Sequence, residues 1–201
     1  MVLLPIFSLP LPQDGPPEGF GWEGRDVPAS SSTMTSDTAI PRRDTFLGQQ
    51  RCIVCGAGPE MVLQHCHIIS ESEPDAWHDL RSRNWVPRQS AEQPEHEPGN
   101  GLLMCLNHSA RFNNYTFFIR FIPDVRKFVL VNYSDTFSLR RFHGKRVALD
   151  TNDRYAPLPS LFIVHEMRVR ALHPFKLTNI DVARDSWQDW IVRDGVFDDS
   201  S

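Results

Sequence analysis

Two short-spaced residue pairs carry the first chemical suggestion in this chain. Cys52 and Cys55 form a Cys-x2-Cys pair, and Cys105 and His108 form a Cys-x2-His pair some fifty residues later. Three thiolates and one imidazole make a tetrahedral ligand set of the kind zinc takes in closed structural sites, so Cys52, Cys55, Cys105 and His108 are read as ligands of one structural Zn²⁺. The bland description is four residues with no joint role, since free cysteine is common in cores. A second short-spaced pair on a second predicted turn favours the metal. Cys52 and Cys55 also lie too close in sequence for an ordinary structural disulfide, so reduced thiolates and an intracellular setting, nuclear or cytoplasmic, are expected. A further group lies between the pairs: on a strand, His65 and His67 share one side while Gln64 and Cys66 take the other. An imidazole that titrates near neutrality can take a proton from water.

The elements that must position these groups are legible to different degrees. Residues 1–43 are rich in Pro, Gly, Ser and Thr and show no apolar period, and are read as a disordered tail. Gly56 and Gly58 suit the tight turn of a metal-binding knuckle, which leads into a strand over 62–69. Residues 70–99 form a long acidic connection with a short helix near 75–84, anchored by Trp77 and Trp85. After Asn100-Gly101 comes the apolar run 102–105, then a short helix capped by Asn107. The clearest signal is a β-hairpin: β-branched and aromatic runs over 116–122 and 127–132, separated by Pro123-Asp124-Val125-Arg126. Apolar residues at near-helical spacing over 158–172, with Pro159 at the start, predict a helix, and Trp187 and Trp190 a last short one over 186–192.

At this point the residues resemble a family. Cys52-x2-Cys55-Gly56, the His67-Ile68-Ile69 strand, Asn100-Gly101-Leu102-Leu103-Met104-Cys105-x2-His108 and the aromatic strand after it resemble an HNH nuclease domain. With Tyr155-Ala156-Pro157-Leu158-Pro159-Ser160 and His165-Glu166-Met167-Arg168-Val169-Arg170, the run from Arg51 to Tyr133 is similar to HNH-domain proteins common in fungi. The resemblance implies an α+β fold with a ββα-metal, treble-clef-type core, zinc knuckles, the aromatic hairpin and C-terminal helices. It implies an HNH-like domain over 44–135 and an extension over 136–201 whose helices pack on the core. His67 matches the family's general base. Asn100 matches the residue whose amide fixes the loop between the strands and orients that histidine, although Asn-Gly also reads as a simple turn.

The third position departs from the family pattern, because Ser109 and Asn113 stand where relatives commonly carry a catalytic His or Asn and, four residues on, often an Asp. Either His108 serves the catalytic cation and the knuckle is incomplete, or His108 closes the knuckle and the cation site keeps only neutral oxygens; the second is expected. Cys66 stands where many relatives place Asp or His, so Cys66 and Asn113 are the candidate cation ligands. The resemblance implies Mg²⁺ or another divalent cation, and a thiolate suits Zn²⁺ better than Mg²⁺.

Composition narrows the functions further. The chain has 201 residues, 40% hydrophobic and 23% charged, with a formal charge of -4, which excludes a protein that coats nucleic acid by bulk charge. No apolar run reaches the ~18 residues of a transmembrane helix, so no membrane partner is expected. Between 111 and 146, however, eight basic residues stand against two acidic ones. Within this stretch Arg120, Arg140, Arg141, Lys145 and Arg146 are the candidate nucleic-acid contacts, with DNA the expected partner and RNA the alternative. Three functions compete: an HNH-type metal-dependent nuclease cutting DNA phosphodiesters with His67 as base; a zinc-stabilised scaffold without catalysis that binds nucleic acid or protein; and a structural domain whose helix over 158–172 docks a partner.

Overall fold

The structure is a computed structural model that describes residues 2–4, 6–22, 36–46, 48–176, 180–182 and 191. In chain order its elements are β1 (Val2–Leu4), α1 (Ser36–Arg43), β2 (Thr45–Phe46), β3 (Gln49–Gln50), β4 (Leu63–His67), α2 (Pro74–Ser82), β5 (Gly101–Cys105), α3 (Leu106–Asn113), β6 (Phe118–Ile122), β7 (Lys127–Val131), α4 (Pro159–Leu172) and β8 (Ile180–Val182). The strands pair antiparallel as β1–β8, β2–β3, β4–β5 and β6–β7. The fold is α+β. No helix among the described residues is long and apolar enough to cross a membrane.

The β4–β5 ladder and α3 form the unit that matters for chemistry. Leu63 lies opposite Cys105 and His67 opposite Gly101, so one end of the ladder carries a cysteine and the other a histidine. Helix α3 starts directly after Cys105, with that residue, not Asn107, as N-cap. It then runs back along the hairpin. Four residues of helix rise about 6 Å and two residues of strand about 6.6 Å, so Gln64 faces Ser109 and Cys66 faces Asn113, each pair in hydrogen-bond contact.

The β6–β7 hairpin is a wall between two apolar clusters. Phe117, Ile119, Phe121, Phe128 and Leu130 join the main core, whereas Phe118, Ile122, Val129 and Val131 pack with Val169 of α4 on the other side. Alternation with both faces buried explains why the strand reads as one unbroken apolar run. Arg120 is the exception, and it corrects an expectation. It is 4% exposed on the α4 side, paired in a fork to Glu166 and capped by the Phe7 ring at 4.3 Å, so it is closed to nucleic acid. Helix α4 begins at Pro159 as expected. Leu161, Phe162, Ile163 and Val169 are spent on the protein's own core, which leaves no apolar face for docking a partner.

The stretch read as a tail departs from that expectation where it is described. Phe20 is buried edge-on against Phe121 at 6.0 Å, and α1 buries Ala39 and Ile40 completely. Arg43 grips Asp44 through two 2.7 Å bonds and donates to the carbonyls of Tyr155 and Gly101 at 2.9 Å. Asp44 in turn accepts from the Leu103 amide at 3.0 Å. Gly101 is needed for close approach rather than for a turn, because a Cβ there would lie 2.0 Å from Ile40 Cδ1. The expected tryptophan anchors are in place: Trp77 Nε1 donates to the Ala91 carbonyl at 3.0 Å and Trp85 Nε1 to the Pro12 carbonyl at 2.9 Å. Apart from Ile191, the helix expected over 186–192 lies outside the described residues.

Candidate functional site

At one end of α3 the two short-spaced pairs converge. Gly56, at φ +72°, closes the first turn, with its amide donating to the Cys52 carbonyl at 2.9 Å, and the Ile53 amide ties the turn to the Leu103 carbonyl at 3.1 Å. The ligand atoms of Cys52, Cys55, Cys105 and His108 all lie within 4.8 Å of one another, so the group could hold a metal ion. Cys105 Sγ is 3.1 Å and Cys52 Sγ 3.6 Å from His108 Nδ1, and Cys55 Sγ is 3.9 Å from Cys105 Sγ. Bonds of about 2.0–2.3 Å to a tetrahedral ion place donors roughly 3.3–3.8 Å apart, so the set fits such an ion. His108 therefore closes the cysteine cluster. Burial alone would lower its pKa, but hydrogen bonds to Cys105 and Cys55 lift it to about 9. Hydrogen bonds from Cys52 and Cys55 hold the Cys105 thiol far below its ordinary range, whereas burial pushes the Cys52 thiol up. The Phe142 ring seals the site edge-on against His108, 5.1 Å away.

The other end of α3 opens on a cleft of about 610 Å³ lined by His65, Cys66, His67, Ser70–Glu73, Asn113 and His165. His67 is the last residue of β4 and half-buried. Burial lowers its pKa, opposed by the nearby Glu71 carboxylate. The imidazole is thus predominantly neutral at neutral pH and able to accept a proton. Cys66 donates to Asn113 Oδ1 at 3.0 Å, and burial pushes its thiol up to about 12 although Ser109 eases the shift. Ser109 accepts from Gln64 Nε2. His65 faces α1, where its Nδ1 is 3.7 Å from Asp37.

Asn100 makes no simple turn. It ends a 3-10 turn over Pro98–Asn100 and is fully buried. Its Oδ1 accepts from the Ile69 amide at 2.8 Å, and its Nδ2 donates to the carbonyls of Ile69 and Pro94, both at 2.9 Å. Together with the 2.8 Å bond from the Ile68 amide to the Asn100 carbonyl, this clamps the backbone immediately after His67.

The structure therefore brings His67, Cys66 and Asn113 to one cleft and places Asn100 behind it, while Arg120 is withdrawn into the core. Arg140 and Arg141 are exposed beside Phe137 (81% exposed), with Lys145 and Arg146 half-buried nearby. Two contributors escaped sequence reasoning. Arg43 sits in a short Pro-containing helix without an apolar period. His165 lies on a helix whose apolar residues nearly encircle it, where a lone histidine reads as core; its burial lowers its pKa to about 3, against a hydrogen bond with the Phe112 carbonyl.

No curated protein and no solved structure matches this chain. Residues 52–120, which hold both short-spaced pairs together with His67, Asn100 and Asn113, match the family model described as HNH endonuclease.

Proposed function

We propose that this protein is a metal-dependent nuclease of HNH type that hydrolyses DNA phosphodiester bonds, with His67 as general base. The observation that carries the reading is His67 itself: a half-buried imidazole with lowered pKa at the edge of an open cleft, its following backbone clamped by Asn100. Such an imidazole accepts the proton of an attacking water. Asn100 holds the strand end so that the ring keeps its direction, and acts through His67 rather than on the substrate. The cleft's thiol and amide oxygen suit a borderline cation such as Zn²⁺ better than Mg²⁺. Held by Cys66 and Asn113, a divalent cation would supply charge relief on the phosphate and Lewis acidity at the leaving oxygen. The ion in the cysteine cluster is read as Zn²⁺ and its role as structural, because four protein ligands leave no open position. The test is incubation of the full chain with plasmid and Mg²⁺, Mn²⁺ or Zn²⁺. Metal-dependent nicking that disappears in His67→Ala supports the reading, and its absence with all three metals defeats it.

A second reading is favoured by the neutral residues Ser109 and Asn113 on α3: an HNH scaffold that binds nucleic acid without cutting it, through the exposed Arg140 and Arg141 and their neighbours Lys145 and Arg146. Here the wild type binds a DNA duplex at low salt without cleavage, and the Ser109→His/Asn113→Asp variant gains cleavage. Tight binding of an RNA duplex but not DNA would move the partner to RNA.

A further inference from the structure

The cleft has one more donor, and it comes from outside the matched segment. His165 of α4 is 2% exposed and lines the cleft with Cys66, His67 and Asn113. Its ring lies flat on Phe112, with centroids 3.7 Å apart and planes 3° from parallel, and Asn113, the next residue of α3, lines the same cleft. Its Nε2 is 3.2 Å from the Phe112 carbonyl. A carbonyl can only accept, so Nε2 carries the proton and Nδ1 presents a bare lone pair. That Nδ1 is buried and has no hydrogen-bond partner. A buried acceptor left unpaired is destabilising unless something binds it. A histidine with one nitrogen donating to a backbone carbonyl and the other left open has the arrangement of a metal-ligating imidazole, because the carbonyl fixes tautomer and ring direction.

We propose that His165 supplies the third protein ligand of the cleft cation, through Nδ1, alongside Cys66 Sγ and Asn113 Oδ1. The assignment rests on the nuclease reading for the site's purpose but not for its evidence, which is the orphaned nitrogen and the donor set. Cys66 and Asn113 are already 3.0 Å apart. Among the described residues the cysteine cluster is the one group of three or more Cys, His, Asp or Glu donors drawn close together. The cleft set differs from it in joining two such donors, Cys66 and His165, to the amide of Asn113. Thiolate, imidazole and amide oxygen together suit Zn²⁺ or its spectroscopic substitute Co²⁺. Helix α4 would then add an imidazole to a site where α3 itself offers only the amide of Asn113.

The test is metal binding by the full chain, stripped by chelator and titrated with Zn²⁺ and with Co²⁺. The wild type should take two equivalents, and His165→Phe, which preserves the stack on Phe112, should keep the cluster equivalent while the second weakens by at least about 100-fold. Unchanged thermal melting of the metal-free variant shows that the fold is retained. If His165→Phe does not fold, cadmium NMR of the wild type with nitrogen-labelled histidine decides: a second cadmium signal coupled to a histidine Nδ1 outside the cluster supports the assignment. One equivalent in the wild type, or a second equivalent indifferent to His165→Phe, overturns it. A wild type that binds two equivalents, the second through His165, yet cuts no DNA leaves this ligand in place and defeats the nuclease reading alone.

Discussion

At the residue scale the account turns on His67 and Asn100. Burial shifts the His67 pKa below its ordinary value, with Glu71 opposing. As the proposed general base, His67 would work only when neutral, so protonation at low pH would switch it off. The cleavage rate should therefore rise with pH through a midpoint below the usual imidazole value of about 6.5. His67→Ala should lower that rate by about 10²–10⁴-fold, measured on a metal-saturated plasmid assay from pH 5 to 8. A midpoint above that of free histidine would contradict the burial argument. Asn100 predicts a different signature. Replacing it with Ala leaves the Ile69 amide and the Ile69 and Pro94 carbonyls without their partner, and each buried group so stranded costs about 1–3 kcal/mol. Urea unfolding should show a loss of at least about 3 kcal/mol; a loss below about half a kilocalorie would make the clamp unimportant.

At the element scale, the chain uses a step of two on a strand and a step of four on a helix to face Gln64 and Cys66 with Ser109 and Asn113. The N-terminal segment has an energetic role as well. Arg43→Ala should strand the Asp44 carboxylate, which burial already pushes up against the pull of Arg43. Removing one partner of a buried pair costs about 3–5 kcal/mol, and the same unfolding measurement reads it. A change within error would return α1 to the status of a tail. This contrast shows what could be read beforehand. The metal pairs, both hairpin strands, the Trp77 and Trp85 anchors and the Pro159 start were legible because local spacing or backbone chemistry encodes them. Helix α1 was not, because it contains Pro41 and buries only Ala39, Ile40, Ser36 and Arg43, so the evidence for it lies in partners at Gly101 and Leu103. Arg120 was misjudged for the same reason: its charge is visible in the sequence, but its neutralisation by Glu166 depends on how α4 crosses β6. Asn100 had two descriptions of equal weight until its amide was seen to reach Ile69 and Pro94.

At the scale of the whole molecule, a net charge of -4 is reconciled with a nucleic-acid partner by segregation. Arg140 and Arg141 stand exposed on a 3-10 turn over Phe137–Phe142. Arg140 is paired with exposed Asp135, at 3.1 Å, a contact worth little against a phosphate. In the proposed DNA complex, replacing both arginines by Ala should weaken binding and reduce the slope of log K against log salt by about 2. Fluorescence anisotropy over a salt series measures this, and an unchanged slope would move the contact elsewhere.

An ion held by Cys52, Cys55, Cys105 and His108 would underlie the rest, because it would tie a knuckle on the outer edge of β5 to the start of the helix whose far end meets Cys66 beside His67. The most direct measurement is elemental analysis of the purified full chain, paired with its melting temperature before and after a strong chelator. The account predicts at least one tightly held zinc per chain, lost in Cys105→Ser, and a fall in melting temperature of more than about 10 °C on removal. A chain that carries no zinc, or one whose melting is indifferent to the chelator, would contradict it.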